Sequence, residues 1–310
     1  MPTDFSPPSL KALEYARALA TQFRATLHLI HVFDVQFEPP TRLAQFATDA
    51  QIERKLRRRL HSVAAEVAPA IRKAHAHVRI GKAFLEVCDE AARLSADLIV
   101  TATHGYTGLK HAFLGSTAER IVRHAPCPVL VVRENEREFV APRRTATEAD
   151  GARLRLAHIV VPTDFSENSR DALAYAIALA KRFGAKLTLL NAIYPQYYAT
   201  NADYLPYDYA ELLEETRTGA KREMDELIRA TSFQGVSFET RIDDGHPVQN
   251  IVDFAAKGGA DLIVTSTHGR TGLKHVLIGS TAEQVVRHAK CPVLVVPRSQ
   301  SKRRSRGRGK

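Results

Sequence analysis

Two short loops carry residue types that can hold a charged ligand: Pro162, Thr163, Asp164, and then Thr267, His268, Gly269, Arg270, Thr271, Gly272. Ten residues after Gly269 come Gly279, Ser280 and Thr281, with Glu283 just behind. Small residues at the opening of a helix leave backbone N–H groups uncovered. The helix N-terminus adds partial positive charge, so a phosphate fits there without a metal. Gly269 lets the backbone approach a ligand closely, and Ser280 offers a hydroxyl. Asp164 suits a ribose hydroxyl or a magnesium ion. Taken singly, each residue would serve equally well in an ordinary turn or N-cap. Their joint recurrence gives the functional reading its weight.

That recurrence is a duplication of the chain. PTDFS stands at 2–6 and again at 162–166, an offset of 160. The block THGYTGLKHAFLGSTAERIVRHAPCPVLVVR at 103–133 matches THGRTGLKHVLIGSTAEQVVRHAKCPVLVVP at 267–297 with 23 of 31 positions identical and an offset of 164. The second copy therefore holds four extra residues between the two motifs. We expect domain 1 over 1–134, a linker over 135–154, domain 2 over 155–298 and a basic tail over 299–310.

The elements that must position the loops follow from periodicity. In the second copy, 156–161 is a short apolar strand ending at Pro162, and Ser166 is a candidate N-cap. Ala172, Leu173, Ala176, Leu179, Ala180 and Phe183 form a helical stripe stopped by Gly184. Strand 185–193, a helix through Leu212, Met224, Leu227 and Ile228, strand 236–242, helix 247–258, strand 261–266, helix 280–289 and strand 292–296 complete the copy. Strands apolar on both faces and alternating with helices predict a parallel sheet covered on both sides. In such a doubly wound sheet ligands sit beyond the carboxyl ends of the strands, where both loops lie.

Composition sets the limits. At 310 residues, 45% hydrophobic and 25% charged, the chain has material for two cores, which excludes global disorder and a disulfide-stapled scaffold. Its apolar runs, such as 128-PVLVV-132, are far below the roughly 18 residues a bilayer span needs. The opening MPTDFSPPSL lacks a secretory pattern, and three cysteines suit a reducing compartment, so a cytoplasmic location is expected. Of the net charge of +10, Lys302, Arg303, Arg304, Arg306, Arg308 and Lys310 supply six. A solubilising role for this tail is favoured over a nucleic-acid contact.

Both copies resemble the universal stress protein family on these residues: Pro-x-Asp after the first strand, and Gly, nine residues, Gly, Ser after the fourth. Gly269, Gly279 and Ser280 match in the second copy, and Gly105, Gly115 and Ser116 in the first. Ser266 and Ala102 stand where the family signature has its first glycine. The resemblance implies two tandem doubly wound parallel five-stranded α/β sheets of the Rossmann-like, adenine nucleotide alpha hydrolase-like kind. It implies ATP, alone or with Mg2+, held by Pro162, Thr163, Asp164, Ala192, Ser266, Gly269, Arg270, Gly279, Ser280 and Thr281, with Asp4, Val32, Gly105, Gly115 and Ser116 as the first-copy equivalents. It further implies pairing through the last strands, as an internal pseudo-dimer or a homo-oligomer, and a cytosolic stress-response regulator. A slow ATPase or adenylyl-transferring enzyme on the same fold is the alternative. Against it, no Walker loop and no His-x-Gly-His pair occurs.

The first copy has a defect. Met1 aligns with Val161, so counterparts of 155–160 are missing, and the first copy is expected to lack its first strand. Either the true start lies upstream or this copy is degraded. Loss of a central strand should leave two neighbours with unmet backbone groups and disturb folding. Weaker signals are His75 and His77 on one strand face, an amphipathic helix over 52–67 with arginines on its wet side, and a tyrosine cluster over 194–209. Cys127 and Cys291 read as small buried hydrophobes.

Overall fold

Strand and helix alternate through both halves of the chain, which divides into unit 1, Met1–Arg155, and unit 2, Leu156–Lys310. A computed structural model describes residues 1–33, 46–103, 115–133, 136–140, 154–194, 209–269 and 279–298. Arg270, Gly105, Tyr197, Tyr198, Tyr204 and Tyr207 of the tyrosine cluster, and the basic tail fall outside the described residues.

Unit 1 contains α1 (Pro7–Phe23), β1 (Thr26–Phe33), α2 (Phe46–Val67), β2 (Lys73–Ile80), α3 (Ala83–Arg93), β3 (Ile99–Ala102), α4 (Ser116–His124) and β4 (Val129–Val132). Unit 2 contains β5 (His158–Pro162), α5 (Glu167–Phe183), β6 (Lys186–Ile193), α6 (Tyr209–Ala230), β7 (Phe238–Asp244), α7 (Pro247–Lys257), β8 (Leu262–Ser266), α8 (Ser280–His288) and β9 (Val293–Val296).

Unit 2 is the complete form. Its five strands are all parallel, with β5 between β6 and β8, β7 outside β6, and β9 outside β8. The order therefore reverses direction at β5, which creates the switch point the sequence predicts. Ile159, Val160 and Val161 are fully buried, as a central strand covered on both faces requires. The helix α5 begins where expected: the Ser166 hydroxyl accepts from the Ser169 amide at 3.2 Å, and Gly184 ends the helix at φ 67. Strand β7 starts two residues later than periodicity predicts, because 234–237 first close a turn in which the Val236 amide donates to the Phe233 carbonyl.

Among the described residues, unit 1 has no strand corresponding to β5. Its strands form two separate ladders, β1 with β2 and β3 with β4. A one-residue bridge joins Pro2 to Ile30, held by the Thr3 amide on the Ile30 carbonyl and the Ile30 amide on the Met1 carbonyl. The remaining described elements keep the order of their unit 2 counterparts. Leu29 on β1 and Tyr15 on α1 are fully buried. Residues 136–140 pack onto α1, with Phe139 edge-on to Tyr15 and Glu138 paired to Lys11 at 2.7 Å. In α2, Leu60, Ala64 and Val67 are buried while Arg57, Arg58 and Arg59 face outward, the amphipathic pattern expected of that run.

Candidate functional site

At the carboxyl end of β5 the chain turns sharply on Thr163, Asp164, Phe165 and Ser166. Thr163 is buried; its hydroxyl accepts from the Phe165 amide at 3.0 Å and shares a hydrogen bond with Ser169 at 3.2 Å. The Thr163 carbonyl accepts from the side-chain amide of Asn191 near the end of β6, at 2.8 Å. Asp164 Oδ1 accepts from the Ser166 amide at 3.1 Å. Phe165 takes the left-handed region at φ 65, a conformation an L side chain resists and a packed surrounding must enforce. This bracing fixes the Asp164 carboxylate at the rim of the sheet, where it is half-buried.

The second loop meets it there. A Cβ placed on Gly269 would stand 2.6 Å from Asp164 Oδ2, so only glycine allows that approach without moving the carboxylate. The Ser266 hydroxyl donates to the His268 carbonyl at 2.8 Å, and the Gly279 amide donates to the Thr267 carbonyl at 2.6 Å, tying the start of α8 to the end of β8. Gly279 is the N-cap of α8 and provides no side-chain cap. Ser280 and Thr281 in its first turn are exposed. A helix N-terminus without a side-chain cap, beside a carboxylate and two close backbone passes, can accept an anion at the helix and a hydroxyl at the acid. Ala192, half-buried near the carboxyl end of β6, borders the same rim.

Unit 1 repeats the construction. Thr3 Oγ1 accepts from Phe5 at 3.0 Å, Asp4 Oδ1 accepts from the Ser6 amide at 3.0 Å, and Phe5 is left-handed at φ 64. Gly115 caps α4, and its amide donates to the Thr103 carbonyl at 2.7 Å. One partner differs: His31 replaces Asn191, with Nδ1 2.8 Å from the Thr3 carbonyl and its ring stacked on Phe5 at 4.8 Å. The Arg59 guanidinium covers the same Phe5 ring at 4.3 Å. Val32 and Ser116 lie at equivalent positions to Ala192 and Ser280.

Of the bracing residues, the sequence singles out Ser166 as an N-cap but not Asn191 or Ser169. A signal existed: Ser6 and Ser9 repeat Ser166 and Ser169 at the same offset as PTDFS. For a metal, the site offers one carboxylate, Asp164, and no cluster of three or more His, Cys, Asp or Glu arranged to hold an ion occurs among the described residues. That donor set suits a magnesium ion carried in on phosphates and not an all-protein cage.

The model of the universal stress protein family matches residues 1–133 and again 156–297. The chain belongs to this family. A universal stress protein of Methanocaldococcus jannaschii is 39% identical over 145 residues, which is 44% of this chain and 80% of that protein. One of Synechocystis is 31% identical over 147 residues, 44% of this chain and 96% of that protein. Each match is therefore about one copy long. Among solved structures, a universal stress protein from Archaeoglobus fulgidus is 20% identical, covers 96% of this chain and 97% of its own, and superposes with a TM-score of 0.67, which shows the shared fold across both copies. No helix among the described residues is long and apolar enough to cross a membrane.

Proposed function

We propose that this tandem universal stress protein is a cytoplasmic stress-response regulator that binds an adenine nucleotide, with ATP as the ligand and unit 2 as the principal site. The observation that carries the reading is the meeting of Asp164 with Gly269 beside the side-chain-free cap of α8. Asp164 accepts hydrogen bonds from ribose hydroxyls. The amides of Gly269, Ser280 and Thr281, with the Ser280 hydroxyl, hold phosphate oxygens, and Ser266, Thr163 and Pro162 shape the floor. Arg270 extends the same loop as a cation for the distal phosphates. Ala192 borders the adenine. Asp4, Val32, Gly105, Gly115 and Ser116 make the corresponding set in unit 1. Magnesium, where present, travels with the phosphates and supplies charge neutralisation. Occupancy alters the rim of the sheet, and the last strands, 128–132 and 292–296, provide the pairing surface within one chain or between chains.

Equilibrium ATP binding tests the proposal. Gly279→Val places a branched side chain beside the Thr267 carbonyl, where an added Cβ stands 3.4 Å from that oxygen. It is expected to weaken ATP binding by about tenfold or more, a loss of about 1.4 kcal/mol, while far-ultraviolet circular dichroism stays unchanged. Unaltered affinity would remove the site. Turnover faster than about 1 per second would favour the enzymatic alternative, since typical kcat values begin there.

A further inference from the structure

The face of α1 that carries Tyr15 is covered, and the matching face of α5 is not. Counted at the PTDFS offset of 160, residues 7–20 of α1 correspond to 167–180 of α5. Over this span the two helices are buried at the same positions with two exceptions, Tyr15 against Tyr175 and Ala18 against Ala178. Tyr15 and Ala18 are 0% and 1% exposed, whereas Tyr175 is 46% exposed and Ala178 is exposed beside it. Residues three apart share a helix face, so the difference is a single patch.

What covers the patch in unit 1 is the chain just past its last strand. Phe139 stands edge-on to Tyr15 with ring centroids 4.9 Å apart, and Glu138 pairs at 2.7 Å with Lys11, one turn before Tyr15. In unit 2 the place of Lys11 is taken by Asp171, half-buried and without an ion pair among the described residues. Past β9 the offset is that of the long repeated block, 164, so Lys302 stands at the place of Glu138 and Arg303 at the place of Phe139. Both charges of the pair are exchanged, and the attraction survives the exchange. The ring partner becomes a guanidinium, which suits the electron-rich face of a tyrosine as an aromatic edge does. The tether is equal too: Phe139 is seven positions after Val132, and Arg303 is seven after Val296.

We propose that residues 300–304 of the basic tail dock along α5, with the Lys302 ammonium on the Asp171 carboxylate and the Arg303 guanidinium over the Tyr175 ring. The hold is looser than in unit 1. There the Glu136 carboxylate accepts from the Arg133 amide at 3.0 Å and closes a turn, whereas Pro297, at the place of Arg133, has no amide to give. Phe139 and Val140 are also apolar and buried, and arginines stand at their counterparts. An exposed ion pair and a cation–π contact are each weak. Docking therefore depends on the short tether, which holds the tail at an effective concentration on the order of millimolar, and it yields to salt. Once seated, the tail has two of the six cations between 302 and 310 engaged by its own chain. Neither Asp171 nor Tyr175 belongs to the nucleotide loops, so docking stands whether or not ATP binds.

Carbodiimide cross-linking of the 310-residue chain, read by peptide mass spectrometry, tests the docking, because it joins only carboxylates and amines already in contact. The Lys11–Glu138 pair serves as the internal standard. We expect an amide link between Asp171 and Lys302 within the monomer. Its yield should fall about fivefold or more at about 1 M salt, where the screening length is about 3 Å. Asp171→Lys and Lys302→Asp should each abolish it, and the two together should restore a link between the same positions. Tyr175→Ala should lower the yield about threefold, while Tyr175→Phe, which keeps the ring face, should leave it unchanged. Four results would overturn the proposal: no link at Asp171 while the standard forms, a yield that ignores both salt and Tyr175, links from Lys302 spread evenly over other acidic residues, or a link found only between chains in cross-linked dimers. The last would seat the tail of a second copy on α5.

Discussion

The β1–β2 pair of unit 1 and the β6–β7 pair of unit 2 share one register, yet their side chains do different electrostatic work. Opposite pairs are His28 with His75 in unit 1 and Thr188 with Glu239 in unit 2. In unit 2 the Lys186 ammonium lies 2.6 Å from Glu239, Thr188 donates to Glu239 at 2.8 Å, and His158 from β5 reaches Thr188 at 2.8 Å. These contacts hold the Glu239 carboxyl below its ordinary range, through Lys186 first and Thr188 second. Unit 1 has imidazoles instead: His28 Nδ1 lies 2.9 Å from His77 Nε2, and the His28 and His75 rings stack at 4.9 Å. His77 approaches Glu90 at 3.2 Å, and Glu90 also gathers Arg79 at 2.8 Å and Arg93. Burial, followed by the neighbouring His77 and His75, pushes His28 down to about 4. Hydrogen bonding from Arg93, with support from Arg79, lowers Glu90 to about 2 against the opposing effect of burial. A shared backbone therefore does not impose a shared charge chemistry. Unit 2 builds its pairs around a central strand, and unit 1 builds a titratable cluster on the matching pair of strands.

Three measurements would break or sharpen this contrast. The largest effect is expected for Ile159→Ala. Deleting a fully buried side chain from the central strand should cost unit 2 about 2–5 kcal/mol in denaturant unfolding, whereas amides of unit 1 keep their exchange rates. Equal loosening of both units would mean that they do not unfold separately. Next comes a matched pair of aspartates. Asp261→Ala strips the Ala157 and His158 amides of a buried carboxylate acceptor and should cost about 1–3 kcal/mol, while Asp97→Ala, at an exposed counterpart, should stay within about 0.5 kcal/mol. Similar losses at the two positions would show that Asp97 has an intramolecular partner after all.

The smallest effect concerns acid. His28 has its folded value near 4, against 6.5 ordinarily, so between those values the unfolded chain binds a proton that the folded chain refuses. Stability of unit 1 should fall as pH drops from about 6.5 to 4, and His77, lowered mainly by burial, adds in the same direction. Glu90 extends the loss as pH falls from 4.5 toward 2. Glu136 has the opposite sign: burial raises it to about 8, so its contribution is greatest below 4.5 and fades as pH rises to 8. Unfolding curves of His28→Gln against pH should be flatter than those of the parent between 6.5 and 4. An unchanged slope would take His28 out of the account.

Much of the architecture was legible because duplication supplied an internal control. PTDFS and the 31-residue block fixed two copies, and apolar runs of strand length between helical stripes fixed the order of elements to within two residues at β7. The loops of the candidate site were legible for the same reason, since Asp164, Gly269 and Gly279 recur as Asp4, Gly105 and Gly115. Their bracing was less legible. Asn191 and His31 hold the same carbonyl from unlike side chains, and no local pattern announces a residue that acts 28 positions away. The packing of α1 on unit 1 was not legible, because the burial of Leu29 and Tyr15 depends on surfaces that meet only after folding.

By itself the sequence determined what local chemistry determines: periodicity sets strand or helix, glycine sets where backbone can turn or approach, and a repeated motif sets domain number. Only the tertiary structure decided which distant groups touch, namely Asp164 against the Gly269 backbone, Asp261 on the start of β5, and three imidazoles on one sheet face beside Glu90. The reason is geometric. Contacts across parallel strands depend on register and crossover path, which arise from the packing of the whole unit and are written in no single stretch of the chain.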